Sequence, residues 1–149
     1  MPAETITSTI DVDRSPADVY ELLDDLSAHQ SFTDHYISGW EVSGPARGVG
    51  ATAKVKVKGG KSEITVVEST PTRIVEHGRG GPAGRWATTG TYELEPKGDA
   101  ATHVTFRNTI DAPTGPERFI AARVLRTLQR DNDKALERLR QKLVDRAAV

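Results

Sequence analysis

One long amphipathic helix, predicted from Thr114 to about Arg146, constrains the fold of this chain more than any other feature. The segment Thr114-Gly-Pro-Glu117 is typical of a helix start, because a Thr at the N-cap accepts from the N3 amide and Pro fits the first turn. Apolar residues then recur at steps of three and four: Leu125, Leu128, Ala135, Leu136, Leu139 and Leu143. Some 30 helical residues span roughly 45 Å. Such a helix needs a long apolar partner surface, which residues 1–113 must supply.

The composition limits the classes of protein to which the chain can belong. Its 149 residues contain no internal repeat, so a single domain over residues 1–149 is expected. A hydrophobic content of 36% and a mean hydropathy of -0.48 are incompatible with a transmembrane helix. The first residues lack the basic and apolar regions of a secretory signal, so we expect a cytoplasmic location. The chain has no Cys and its four His lack ligand spacing, so neither a metal nor another cofactor is expected.

The net charge of -1 is unevenly distributed along the chain. Residues 1–41 contain nine acidic side chains and a single Arg, whereas the predicted C-terminal helix contains nine basic and five acidic side chains. We expect the two regions to neutralise each other within a monomer or across a homodimer. Nucleic acid is not an expected partner, because the basic residues are mixed with acids and the pI is near 6.4.

The order of the remaining elements predicts an α+β fold. Residues 4–13 alternate as a half-buried strand, and Ser15-Pro16 opens a short helix that is followed by a second helical turn at 27–33. Six antiparallel strands separated by Gly- and Pro-containing turns then follow, at residues 37–43, 51–58, 61–69, 73–79, 85–95 and 102–111. Helices segregated on one face of a curved sheet are the expected arrangement.

Several segments identify the chain as similar to the START-like, or helix-grip, superfamily. They are residues 9–23, Gly48-Val-Gly50, residues 66–73, residues 90–94 and the terminal helix. This superfamily (also called SRPBCC) includes the Bet v 1 allergens, the polyketide cyclase/dehydrases and the lipid-transfer START domains. The resemblance implies a curved antiparallel sheet of about seven strands wrapped around the long helix, with two short helices after the first strand. It also implies an apolar cavity between sheet and helix, but the superfamily holds carriers, receptors and enzymes alike.

Polar side chains fall on faces of the predicted interior that should be apolar. Thr88 and Tyr92 share the inward face of residues 85–95, Asn108 lies on that of residues 102–110, and Asn132 interrupts the helix stripe. Because buried polar groups need partners, this pattern predicts either a ligand pocket or a filled core in which they pair with one another. Gly90, opposite Phe106 or Asn108 depending on register, is expected to leave volume unfilled. The predicted ligand-binding residues are Tyr36, Trp40, Trp86, Thr88, Tyr92, Phe106, Asn108, Leu128 and Asn132.

The candidate catalytic residues are Tyr36, His77 and Arg79. In the polyketide aromatase/cyclases that the chain resembles, a Tyr after the short helical turn and arginines on mid-chain strands line the pocket. Tyr36 and Arg79 are the matching residues here, although His35 competes with Tyr36. No second inward arginine is evident in residues 61–69.

The strand at residues 73–79 can be oriented in two ways. His77 and Arg79 share one of its faces, whereas Ile74 and Glu76 share the other. We take His77, Glu76, Tyr36 and Arg79 as possible acid–base groups. Exposure of both His77 and Arg79 to solvent would remove most of the support for catalysis.

Two functions from different classes follow from these observations. The first is a domain that encloses a small hydrophobic molecule between the sheet and the long helix, as in carriers related to lipid transport. The alternative is a cyclase/dehydratase-type enzyme that acts on a hydrophobic substrate by general acid–base catalysis, without a metal or nucleotide cofactor. The glycine-rich residues 78–84 are expected to form a mobile lid at the cavity mouth.

Overall fold

The computed structural model describes residues 4–57, 60–81, 84–112 and 114–147, which form a seven-stranded antiparallel sheet and a long helix. The strands are β1 (Glu4–Val12), β2 (Ile37–Ser43), β3 (Thr52–Val57), β4 (Gly60–Thr70), β5 (Arg73–Gly80), β6 (Trp86–Pro96) and β7 (Thr102–Asp111). The helices are α1 (Pro16–Asp24), α2 (Gln30–Thr33) and α3 (Gly115–Ala147), and a 3-10 turn at Leu26–Ala28 precedes α2. The predicted α+β helix-grip architecture is confirmed.

The strand order explains how the short helices reach the interior. The order is β1-β7-β6-β5-β4-β3-β2, so β1 and β2 lie at opposite edges of the sheet. The segment that contains α1 and α2 must therefore cross from one edge to the other. It does so on the side where α3 lies, and α2 packs directly against α3.

The predicted capping chemistry starts both longer helices. Ser15 Oγ accepts a hydrogen bond from the Asp18 amide at 3.2 Å, and Pro16 occupies the first turn of α1. Thr114 Oγ1 accepts from the Glu117 amide at 3.2 Å and caps α3 in the same way.

None of the helices that the structure describes is both long enough and apolar enough to cross a membrane.

The buried apolar side chains form two separate cores. The main core joins α1, strands β3 to β7 and the C-terminal half of α3, where Leu136, Leu139 and Leu143 are almost fully buried. The minor core is smaller and contains Trp86, Ile110, Ala112, Ala121 and Leu125, with Ile6 and Leu128 packed against it. The N-terminal half of α3 is therefore held by a different set of contacts from its C-terminal half.

A layer of polar side chains, here called the polar band, separates the two cores. It consists of Glu76 on β5, Thr88 on β6, Asn108 on β7 and Asn132 on α3. On β6 it lies between Trp86 of the minor core and Tyr92 of the main core. Four elements therefore contribute polar groups between the two cores, with Thr88, opposite Ile110, one inward position nearer the minor core than Glu76 and Asn108.

Candidate functional site

Glu76 and Asn108, two members of the polar band, lie on one row of the sheet. Glu76 is opposite Gly90 in the β5–β6 pair, and Gly90 is opposite Asn108 in the β6–β7 pair. The register that places Gly90 beside Asn108 is thus the one adopted. The expectation that Gly90 leaves unfilled volume is wrong, because a Cβ at this position would lie 3.3 Å from Cε1 of Phe106 and 3.5 Å from Nδ2 of Asn108. These two neighbours occupy the space that the glycine leaves.

A chain of hydrogen bonds joins three of the predicted ligand-binding residues. The Tyr36 hydroxyl donates to Oδ1 of Asn132 at 3.0 Å, and Nδ2 of Asn132 donates to Oδ1 of Asn108 at 2.7 Å. Asn132 is only 1% exposed. Of the two arrangements that the sequence leaves open, pairing among the polar groups is the one found for these three residues.

Glu76 is the polar-band residue whose carboxylate is not fully satisfied. The residue is 8% exposed, and its buried Oε1 has no hydrogen-bond partner among the described residues. Burial raises the pKa of the Glu76 carboxyl above its ordinary value of 4.5, and the nearby His29 opposes part of this rise. A buried, unpaired carboxyl with a perturbed pKa is a physical criterion for a functional site.

Aromatic rings surround the same region. The His29 ring lies 5.1 Å from Phe32, 6.0 Å from Trp40 and 5.9 Å from Tyr92, measured between ring centroids. Tyr92 stacks in turn on Phe106 at 4.2 Å. His29 Nε2 lies 2.7 Å from the Leu23 carbonyl oxygen, which can only accept, so this nitrogen carries a hydrogen.

Burial and neighbouring charges raise the pKa values of two tyrosines in the interior. Burial raises the pKa of Tyr92 well above its usual value, and the charges of Glu76 and Tyr36 add to the rise. Burial also raises the pKa of Tyr36, with further contributions from Asp131 and Glu76. Both phenols therefore remain protonated at neutral pH, so each can act as a hydrogen-bond donor.

The other predicted ligand-binding residues also lie in or beside the interior. Trp40 and Trp86 each have a buried indole Nε1 without an acceptor among the described residues. Thr88 is half-buried opposite Gly78, and Leu128 packs against the minor core. Among the described residues, these two indole nitrogens and Glu76 Oε1 are the fully buried side-chain polar atoms that have no hydrogen-bond partner.

The structure orients β5 and corrects the catalytic candidates on it. His77 and Arg79 are both exposed, whereas Ile74 and Glu76 are buried. A bulge in β4 between Val66 and Glu68 shifts the pairing along this strand. His77 and Arg79 therefore do not reach the interior, and Glu76 takes the inward position.

His35 is also directed away from the interior. Its Nε2 lies 3.0 Å from the Asp131 carbonyl oxygen, and its Nδ1 accepts from Arg138 at 3.0 Å. Arg138 forms an ion pair with Asp34 as well, so part of the acidic N-terminal region does neutralise α3 within one chain. Tyr36, which bonds Asn132, is the residue of this segment that joins the site.

The predicted lid lies partly in the sheet. Gly78 and Gly80 belong to β5, and residues 82 and 83 are outside the described residues. Gly81 has a φ of +70° and lies against the Trp86 indole so closely that a side chain there would overlap the ring. The start of this loop therefore covers the minor core.

Reasoning from sequence missed His29 and underrated Glu76. His29 follows the short 3-10 turn and resembles an isolated surface histidine, yet it is only 2% exposed. Glu76 shares a face with Ile74, and an acid in an apolar strand pattern was the available signal for it. No local signal indicated that His29 would be buried next to Tyr92 of β6, because the two residues are brought together only by tertiary packing.

A concave region of about 410 Å³ lies elsewhere, on the outer face of β6 and β7. Its walls include Arg73, Glu93 and Arg107, and Glu93 and Arg107 form an ion pair with each other. Its charged groups are solvated and paired, whereas those of the interior are buried and partly unpaired. We therefore place the candidate site in the interior.

Comparison with known proteins agrees with this fold. The KanY protein is similar over 96% of this chain and 99% of its own, with 21% identity and a TM-score of 0.78. The Zhui aromatase/cyclase from Streptomyces sp. R1128 shows 13% identity, coverage of 98% and 96%, and a TM-score of 0.77. A norcoclaurine synthase point mutant from Thalictrum flavum, in complex with a transition-state analogue, shows 11% identity, coverage of 98% and 97%, and a TM-score of 0.75. At these identities the likeness shows the fold alone.

The sequence itself defines the family. No curated protein matches it. The family model described as polyketide cyclase/dehydrase and lipid transport matches residues 3–144, which is nearly the whole chain. The chain belongs to the polyketide cyclase/dehydrase and lipid transport family.

Proposed function

We propose that this protein binds a small, largely apolar molecule between α3 and the sheet, with a polar group of that molecule at the polar band. The observation that carries the proposal is the buried Oε1 of Glu76, which has no partner among the described residues. An unpaired buried polar atom is unfavourable by about 1–3 kcal/mol, and a bound ligand would remove that penalty. The aromatic rings of the same interior and the family's association with hydrophobic molecules support the same function.

A dye-binding experiment with two neighbouring substitutions tests this function. Thr88 points inward and Ala87, the residue before it, is exposed. Nile red should bind the wild type and the Ala87→Phe variant equally, and unlabelled apolar ligands should displace it. Thr88→Phe should reduce dye binding at least tenfold, because the ring fills the interior at the polar band. Thermal unfolding of both variants checks that they fold.

Two results would contradict ligand binding. One is wild-type protein that neither binds Nile red nor carries a bound small molecule in native mass spectrometry. The other is a folded Thr88→Phe variant that binds the dye as tightly as Ala87→Phe.

The predicted cytoplasmic location, the single domain over residues 1–149 and the choice between monomer and homodimer stay predictions.

A second candidate function is cyclase/dehydratase-type catalysis. The observation that favours it is the buried Glu76 carboxyl, whose Oε1 has no partner among the described residues. Burial raises its pKa from the ordinary value towards neutral pH, and a general acid–base group works best when its pKa is close to the working pH. His77 and Arg79, being exposed, are replaced by Glu76 in this proposal. Glu76 would move a proton at a carbon or oxygen of the bound substrate, and Tyr36 would donate a hydrogen bond to it.

Kinetics of a single variant test the catalytic role. With a poly-β-ketone substrate, Glu76→Gln should lower the rate by roughly 10²- to 10⁴-fold, the usual contribution of a positioned acid–base group. Nile red binding by the same variant should be unchanged, which separates chemistry from binding. Equal rates for the variant and the wild type would remove Glu76 from catalysis.

A further inference from the structure

We propose that the molecule bound in this interior carries a protonated amine, and that the amine pairs with the carboxylate of Glu76 within the surrounding aromatic rings. The inference rests on the proposed binding function and specifies the class of ligand. It follows from two observations, the missing counter-charge of Glu76 and the aromatic side chains that lie next to Gly90, the residue opposite Glu76.

The protein provides little positive charge to compensate Glu76. Among the ion pairs of the described residues, none involves this carboxylate. Arg73 and Arg79, the basic residues on its own strand, are exposed, and Arg73 pairs with Glu68. The titratable groups of other elements that interact electrostatically with Glu76 are His29, Tyr36 on the segment after α2 and Tyr92 on β6. A buried carboxylate without a cationic partner is strongly unfavourable, so a ligand that supplies the cation gains most from this site.

Of these three groups, the phenols of Tyr36 and Tyr92 cannot supply a positive charge to balance the Glu76 carboxylate. Tyr36 directs its hydroxyl hydrogen to Asn132. His29 can carry a charge, but its Nε2 hydrogen is already committed to the Leu23 carbonyl oxygen. Oε1 of Glu76 accordingly has no partner in the described structure. It remains available to a donor that enters with the ligand.

The aromatic rings favour a cation over other donors. Gly90 is opposite Glu76, and a Cβ at Gly90 would lie 3.3 Å from Cε1 of Phe106. The Phe106 ring stacks on Tyr92 at 4.2 Å, so aromatic rings lie beside the row of the sheet that carries the carboxylate. Aromatic rings attract ammonium groups by roughly 0.5–2 kcal/mol, and more strongly where water is excluded. An alcohol would satisfy Oε1 without this gain, and a ligand carboxylate would place a second negative charge beside the first. A protonated amine on an apolar body is therefore the ligand that matches both features.

Three probes that share one apolar body test the inference by isothermal titration calorimetry at pH 7. They are 2-(2-naphthyl)ethylamine, 2-(2-naphthyl)ethanol and 2-naphthylacetate. The wild type should bind the amine at least tenfold more tightly than the alcohol, and the acid most weakly. Glu76→Gln should weaken amine binding about tenfold while alcohol binding changes less than twofold. Glu63→Gln, the same substitution at an exposed position of the adjacent strand β4, should behave as the wild type.

Other binding results would contradict either the amine assignment alone or ligand binding as a whole. Alcohol binding as tight as amine binding in the wild type, or amine binding that Glu76→Gln leaves unchanged, would overturn the amine assignment and leave ligand binding itself in place. Failure of all three probes, together with failure of Nile red, would overturn both. If Glu76→Gln does not fold, the ranking of the three probes on the wild type still decides the question.

Discussion

The hydroxyl of Tyr36 donates a hydrogen bond of 3.0 Å to Oδ1 of Asn132, joining the segment after α2 to the middle of α3. The same Asn132 side chain donates through Nδ2 to Asn108 on β7. One amide group thus connects the helical segment, the long helix and the sheet. Because both of its ends are used, its position along α3 fixes how the helix is placed relative to the sheet.

Replacement of Asn132 by Leu should destabilise the protein. From the sequence, a leucine on this apolar stripe is expected to be neutral or stabilising. The structure reverses that expectation, because the substitution leaves the Tyr36 hydroxyl and Asn108 Oδ1 without partners. Because both residues are only half-buried, we expect a total loss of about 1–3 kcal/mol, measured by urea unfolding.

A double variant provides the control for Asn132. Tyr36→Phe combined with Asn132→Leu removes both partners of one hydrogen bond, and such paired removal is less destabilising than the sum of the single changes. Additive losses would show that the two side chains are not coupled. An Asn132→Leu variant as stable as the wild type would show that the hydrogen bonds contribute nothing to stability.

Glu76→Gln should stabilise the protein increasingly as the pH rises. The folded-state pKa of Glu76 is raised above its ordinary value of 4.5, so below about pH 4.5 both folded and unfolded states are protonated and the carboxyl disfavours neither. Above that pH the unfolded state loses its proton first, and the wild type is destabilised relative to the variant. The difference in unfolding free energy should grow by at most about 1.4 kcal/mol per pH unit.

The measurement is urea unfolding of both proteins between pH 4.5 and 7.5. The pKa values of Asp11 and Asp34 are lowered by His103 and Arg138 respectively, so these two carboxyls make the protein more stable as the pH rises. Both residues are present in the wild type and in the variant, so their contributions cancel in the difference between the two unfolding free energies. Glu63→Gln, on the exposed side of the sheet, should show no comparable growth with pH. A difference for Glu76→Gln that is independent of pH would mean that its carboxyl titrates as in the unfolded chain.

Leu139→Ala should be strongly destabilising. Leu139 is fully buried in the main core, so its truncation removes apolar contacts and leaves a cavity, which costs about 2–5 kcal/mol. Val144→Ala on the same helix is the matched control, because Val144 is 51% exposed and should change stability by less than about 0.5 kcal/mol. Similar losses for both variants, measured by thermal unfolding, would contradict the assigned helix face.

Truncation of the chain after Arg130 should prevent folding. It removes Leu136, Leu139 and Leu143, all buried against the sheet. Losing several such side chains, at about 2–5 kcal/mol each, exceeds the total stability of about 5–15 kcal/mol that domains of this size have. Circular dichroism during heating should show no cooperative transition. A transition near that of the full chain would show that this part of α3 is an appendage.

The fold was accessible from the sequence because its signals are local. The capping residues Ser15 and Thr114 start the helices where expected, and the alternation in β6 and β7 assigns their inward faces correctly. The stripe on α3 also contains the residues that are buried. Each of these features depends on spacing within one segment.

The site was less accessible because it depends on contacts between distant segments. The orientation of β5 is ambiguous in sequence, since Ile74 and Val75 are both buried although they lie on opposite faces of the strand. The bulge in β4 that accompanies this arrangement has no sequence signature that we could identify. The hydrogen bond from Tyr36 spans 96 positions of the chain, and the position of His29 likewise depends on packing with remote strands.

The two halves of α3 pack against different cores, and the core at the N-terminal half is the smaller one. Its C-terminal half is fixed by the main core and by Arg138, which bonds Asp34 and His35, whereas its N-terminal half is fixed by the minor core and the Arg85–Glu117 ion pair. Phe119 and Ile120 at that end are 78% and 53% exposed. Local opening has the lowest free energy where the fewest apolar contacts must break. We therefore expect the first turns of α3 to open locally at a lower free energy than its C-terminal half, which the larger main core holds.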